Sequence, residues 1–122
     1  MPHRVYIVDD NELDLYYARL VIERNHPGVE VLTFDSAAEA LQALRQSGAP
    51  PDLILLDINM PGMNGFEFLA AFDPPTAPVV MLTSSPDPVD RQQALSHASV
   101  RDYMVKPLEP DAVGRLLGVG AA

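Results

Sequence analysis

Cysteine is absent from the chain, and with it any disulfide framework; a reducing cytoplasm is compatible with that usage. Lysine is nearly absent: Lys106 stands alone against seven arginines. Basic charge is scarce overall, with a formal net charge of -9, which argues against nucleic-acid binding by this chain, because phosphate contacts need a basic face. Long apolar runs are also missing, so no segment approaches the length that spans a bilayer. The opening run Val5-Tyr6-Ile7-Val8 is too short for the core of a signal peptide, and it meets Asp9-Asp10 rather than a cleavage site.

What is present is a regular alternation. The 122 residues fit one domain, and 48% of them are apolar, enough for a real core. Five short apolar runs, Val5–Val8, Val29–Phe34, Leu53–Leu56, Val79–Leu82 and Val100–Val105, are separated by segments of helical period. Most are rich in Val, Ile and Leu, as strands buried on both faces of a parallel sheet must be. The second and fifth carry Glu30, Thr33 and Asp102, which suits positions nearer the sheet edges.

The helical segments have readable ends. Asn11 is an N-cap before Leu13, Tyr16, Tyr17, Leu20 and Val21, and His26-Pro27-Gly28 stops that run. Ser36 to Glu39 reads as a capping box ahead of Ala40, Leu41 and Leu44, with Gly48 as the stop. Gly65 opens a short third helix through Phe66, Leu69 and Phe72, broken by Pro74-Pro75. Asp87-Pro88 caps a fourth, whose stripe is only Val89, Ala94, Leu95 and Ala98. Glu109-Pro110 starts a fifth with Val113, Leu116 and Leu117 on its core face, ending early before Gly118 to Ala122. Strand and helix repeated five times predict right-handed crossovers and a doubly wound α/β fold. Five such strands suit a parallel sheet in the order 2-1-3-4-5, one of the common doubly wound orders, with helices on both faces. One domain over residues 1–122 is expected, with no effector domain.

In such a sheet, ligands bind beyond the carboxyl ends of the strands. The residues there are Asp9-Asp10, Asp57, Thr83-Ser84-Ser85 and Lys106-Pro107, with Asp35 at an edge. Taken singly, each is an ordinary turn or helix cap. Together they bring three carboxylates, a hydroxyl and the sole lysine to one rim. Carboxylates so close resist joint ionisation unless a counter-charge joins them. A hard divalent cation such as Mg²⁺ supplies it, since it takes carboxylate, water and phosphate oxygens. A carboxylate beside that cation can act as a nucleophile toward phosphorus, with Lys106, Thr83 and backbone amides neutralising the phosphoryl oxygens.

These residues resemble the receiver domain of two-component response regulators, of the CheY-like, flavodoxin-like fold, over essentially the whole chain. The resemblance is carried by Val8-Asp9-Asp10-Asn11, by Leu55-Leu56-Asp57-Ile58-Asn59-Met60-Pro61-Gly62-Met63-Asn64-Gly65, by Met81-Leu82-Thr83-Ser84 and by Tyr103-Met104-Val105-Lys106-Pro107. It implies that Asp57 is the phosphoacceptor, charged by a sensor histidine kinase or a histidine phosphotransfer protein. It implies that Asp10, Asp57 and the backbone carbonyl of Asn59 ligate Mg²⁺, with Asp9 acting through water. Lys106 would pair with the phosphoryl group across a cis Lys106-Pro107 bond. Thr83 would swing to a phosphoryl oxygen and Tyr103 would move inward behind it, switching the face made by the fourth helix, fifth strand and fifth helix.

That face would then meet a downstream protein target or a second copy in a homodimer, although the short last helix departs from the family pattern. The resemblance further implies a stand-alone cytoplasmic signalling domain that catalyses its own phosphorylation and dephosphorylation and is not otherwise an enzyme. Asn59 and Ser85 would tune the lifetime of the phosphorylated state. Two other functions would fit an α/β chain with these carboxylates. A haloacid-dehalogenase-like phosphohydrolase would place its nucleophile after the first strand, with an acid two residues on and a cap insertion; here Asp9 is followed by Asp10, Asn11 and Glu12, without such an insertion. A degenerate receiver acting as a phosphorylation-independent interaction module would not need the full set of Asp9, Asp10, Asp57, Thr83 and Lys106.

Overall fold

The computed structural model describes residues 3–46, 48–72 and 76–118. Its strands are β1 (Arg4–Val8), β2 (Glu30–Phe34), β3 (Leu53–Leu56), β4 (Val79–Thr83) and β5 (Val100–Val105). Its helices are α1 (Glu12–Asn25), α2 (Ala37–Gln46), α3 (Gly65–Ala71), α4 (Pro88–Leu95) and α5 (Ala112–Leu117). All four strand pairings are parallel, and the order is β2-β1-β3-β4-β5, as the alternation predicts. The central strands β3 and β4 are buried at every residue, whereas β2 and β5 are partly exposed at the edges.

Because successive strand side chains point to opposite faces, the sheet divides the core in two. Val5, Ile7, Leu53, Leu55, Val80 and Leu82 face α1 and α5, which contribute Leu15, Ala18, Ile22, Ala112 and Val113. Tyr6, Val8, Ile54, Leu56, Val79 and Met81 face the other helices, which contribute Leu41, Phe68, Leu69 and Ala94. Each face is thus covered by helices, and the carboxyl ends of the central strands meet solvent at one rim.

Four local expectations are corrected. On α1 the buried residues are Leu15, Ala18, Val21 and Ile22, while Leu13, Tyr16 and Tyr17 are exposed. The helix carries two offset apolar stripes, and packing against β1 and β3 buries the one that holds Leu15 and Ile22; at its start the Asn11 side chain accepts from the Asp14 amide at 3.1 Å. At the start of α2 half of the capping box forms, with the Glu39 amide donating to Ser36 Oγ at 3.2 Å. The Glu39 side chain instead shares a hydrogen bond with Asp35, and this bond and the Asp35 charge hold Glu39 above the usual carboxylate range. The reciprocal box occurs at α3, between Asn64 and Glu67.

On α4 only Ala94 is buried, with Val89 and Leu95 exposed and Ala98 beyond the helix end. The Asp87 cap with Pro88 behind it is present, its carboxylate accepting from the Val89 amide at 2.9 Å. α5 begins at Ala112, two residues later than its expected Glu109-Pro110 start, and closes on Gly118 in the left-handed conformation at φ 72°. The Pro74-Pro75 break and the tail from Val119 to Ala122 lie outside the described residues.

Candidate functional site

The parallel register brings the carboxyl ends of β1, β3, β4 and β5 to one rim. Asp9 follows β1 and is held there by its amide, which donates to Phe34 O at 3.0 Å, while the Asp57 amide donates to Val8 O at 3.0 Å. Asp9 and Asp57 are buried, at 3% and 6% exposure, whereas Asp10 is exposed. The three carboxylates offer oxygen atoms that all lie within 4.8 Å of one another. A donor set of hard carboxylate oxygens at this spacing fits a Mg²⁺-like cation and suits no soft metal. Asn59 stands exposed two residues past Asp57 in the loop before α3, on the same rim.

Lys106 supplies the counter-charge among these residues. Its Nζ lies 2.6 Å from Asp9 Oδ2, 2.7 Å from Asp14 Oδ2 and 3.3 Å from Asp57 Oδ2. Burial alone would pull the ammonium down, but the bonds to Asp14 and Asp9 and the Asp57 charge outweigh it and raise Lys106 above the ordinary lysine value. Burial likewise pushes Asp9 above the usual carboxylate range, even though Lys106 and the Asn11 amide oppose it. The Lys106–Pro107 peptide is cis, and the Lys106 amide donates to Thr83 O at 2.8 Å, joining the ends of β5 and β4.

Thr83 is fully buried, and its Oγ1 accepts from the Ser85 amide at 3.3 Å, so its hydroxyl is engaged by the loop after β4 and not by the carboxylates. Tyr103 already stands inward, 5% exposed, with its hydroxyl donating to Ser85 O at 2.7 Å. The α4 helix is attached to the same loop by polar contacts: Ser85 Oγ donates to Asp90 at 2.7 Å, and Arg91 Nη1 donates to Tyr103 O at 3.3 Å with its guanidinium 5.8 Å from the ring centre.

Two participants were not legible from strand-end positions. Asp14 lies one helical turn beyond Asp10, where an acidic residue reads as a complement to the helix dipole. Gly65 opens α3, and a Cβ there would lie 2.5 Å from Asp57 O and 2.9 Å from Ile58 Cα, so the helix can close on the backbone of Asp57 only through glycine.

Comparison with known proteins agrees with this geometry. A family model described as the response regulator receiver domain matches residues 5–117. Protein PilH of Pseudomonas aeruginosa is 30% identical over 114 residues, with 90% of each chain covered. The DNA-binding response regulator MtrA of Mycolicibacterium smegmatis is 32% identical over 111 residues, and there the chain spans 46% of the relative's length. Among solved structures, a two-component response regulator from Cytophaga hutchinsonii superposes with a TM-score of 0.85 at 31% identity, covering 96% of this chain and 95% of that one. Vibrio cholerae CheY4 superposes at 0.81 with 28% identity, covering 97% and 98%. A matched family model over nearly the whole chain, on a fold that superposes on known response regulators, makes this chain a member of the response regulator receiver domain family of two-component systems.

Proposed function

We propose that Asp57 accepts a phosphoryl group from a phosphohistidine on a sensor kinase or histidine phosphotransfer protein. The observation that carries the reading is the burial of Asp57 between two further aspartates and the single lysine of the chain. An Asp57 oxygen attacks phosphorus, the phosphorus–nitrogen bond breaks, and its electron pair returns to the imidazole of the donor, leaving an acyl phosphate on Asp57. Hydrolysis of that bond restores the carboxylate and releases inorganic phosphate, so the chain catalyses its own charging and discharging without acting on another substrate.

Asp10, Asp57 and the Asn59 carbonyl would hold Mg²⁺, with Asp9 assisting, and the ion would supply the positive charge that lets carboxylates and phosphoryl oxygens share the rim. Lys106 neutralises a phosphoryl oxygen, and Thr83 gives up the Ser85 amide to donate its hydroxyl to another. Releasing that amide disturbs the Ser85–Tyr103 and Ser85–Asp90 bonds and so biases α4, which is held to the sheet by little apolar surface. The responding face of α4, β5 and α5 exposes Val89, Leu95 and Val105 for a protein partner or a second copy. Such a donor is met in the cytoplasm, where we place the chain; among the described residues no helix is long and apolar enough to cross a membrane.

The test is incubation with Mg²⁺ and acetyl phosphate, followed by intact mass measurement beside Asp57→Ala. One added phosphoryl group that requires Mg²⁺ and vanishes in the variant is expected. An equal adduct in the variant, or failure of both phosphate and beryllofluoride to bind, would refute the assignment.

A further inference from the structure

Three carboxylates surround the ammonium of Lys106: it donates to Asp14 and Asp57 and is paired closely with Asp9. The two short contacts go to Asp9 and Asp14, and the long one, 3.3 Å, goes to Asp57, the residue where a phosphoryl oxygen would have to be met. The lysine is thus drawn toward the α1 side of the rim. A cation bound by the acidic trio would take over the charge of Asp9 and free one donor. Asp14 lies outside that trio, on α1, so nothing in the site replaces Lys106 as its partner. A cleft of about 300 Å³, lined by Asp14, Tyr17, Lys106 and Pro107 among others, borders the pair and leaves the lysine room to move along it.

We propose that Asp14 is a positioning residue that holds the Lys106 ammonium toward α1 and so lowers the affinity of the site for a phosphoryl group, a consequence that rests on Asp57 being the acceptor. Its carboxylate competes for the same donors as the phosphoryl oxygens and adds a like charge beside them. The Asp14 side chain is 41% exposed, so the competition is screened and modest. It sets the fraction of the domain charged at a given donor supply and leaves the chemistry itself unchanged.

Beryllofluoride, a phosphoryl mimic, is titrated at saturating Mg²⁺ into the wild-type chain, Asp14→Asn and Asp14→Glu, with bound fluoride read by NMR. Asp14→Asn is expected to bind about threefold to fivefold more tightly, as for release of a partly exposed ion pair, and Asp14→Glu to return toward wild type. A second reading uses the metal-free protein: lysine-selective ¹⁵N labelling yields one ammonium signal, which shifts in Asp14→Asn if the pair exists and stays put if Asp14 merely supports the fold. Wild-type binding with no tightening in Asp14→Asn, or an unmoved lysine signal, overturns the role of Asp14 alone. A wild-type chain that takes up no beryllofluoride overturns the acceptor reading and this inference with it.

Discussion

The hydroxyl of Tyr103 donates to the carbonyl of Ser85 at 2.7 Å, which ties the edge strand β5 to the loop that follows β4. The same loop holds Thr83 through its amide and Asp90 through its hydroxyl, so one short segment joins the end of β4 to α4. Arg91 closes the arrangement from above, over the Tyr103 ring.

Replacing Tyr103 by Phe leaves the Ser85 carbonyl without that donor and should cost about 0.5–1.5 kcal/mol, read from denaturant midpoints at neutral pH. The difference should narrow in alkali. Burial, with the Asp90 and Asp87 charges, holds the Tyr103 phenol above its ordinary value of 10.0, so the folded chain keeps that proton longer than the unfolded chain. The stabilisation is whole below pH 10.0 and drains away as pH rises from there through the folded value. Wild type should therefore lose more stability than Tyr103→Phe in that window. Parallel losses would show that the phenol does not titrate late.

Gly65→Ala should destabilise by about 1–3 kcal/mol, since the new methyl meets the backbone of Asp57 and Ile58, which cannot move without shifting Asp57 on the acidic rim. Gly28→Ala, where nothing lies within 4 Å, should stay within about 0.5 kcal/mol. Equal melting temperatures for the two variants would remove the packing role assigned to Gly65.

The rotation of α1 is checked by a pair of truncations. Ile22→Ala empties a fully buried position and should cost about 2–5 kcal/mol, whereas Tyr16→Ala, on the 65% exposed side, should change stability by less than about 0.5 kcal/mol. A large loss at Tyr16 would mean that this stripe is covered in solution.

Much of the molecule could be read along the chain. Runs such as Leu53–Leu56 are apolar at every position because both faces of a central parallel strand are covered, and that pattern survives in one dimension. Asp9, Asp10, Asp57 and Lys106 were found by a positional rule: residues that follow parallel strands share one edge whatever the side-chain details. The caps at Asn11 and Asp87 were legible because capping is a contact between residues two or three apart.

What required the folded chain were relationships that depend on rotation and on distance between elements. The sequence carries both stripes of α1, but docking against β1 and β3 decides that Ile22 is inside and Tyr16 outside. Nothing local distinguishes Asp14 from any other acid in a first helical turn; it acquires its partner because Lys106, 92 residues away, returns beside it. Pattern and composition therefore specify the sheet, its order of elements and the acidic rim, since those follow from periodicity and from where strands end. Only tertiary packing settles which face of a helix is buried, which carboxylate takes the lysine, and how Ser85, Tyr103 and Arg91 meet. Those are contacts between side chains that no spacing along the chain encodes.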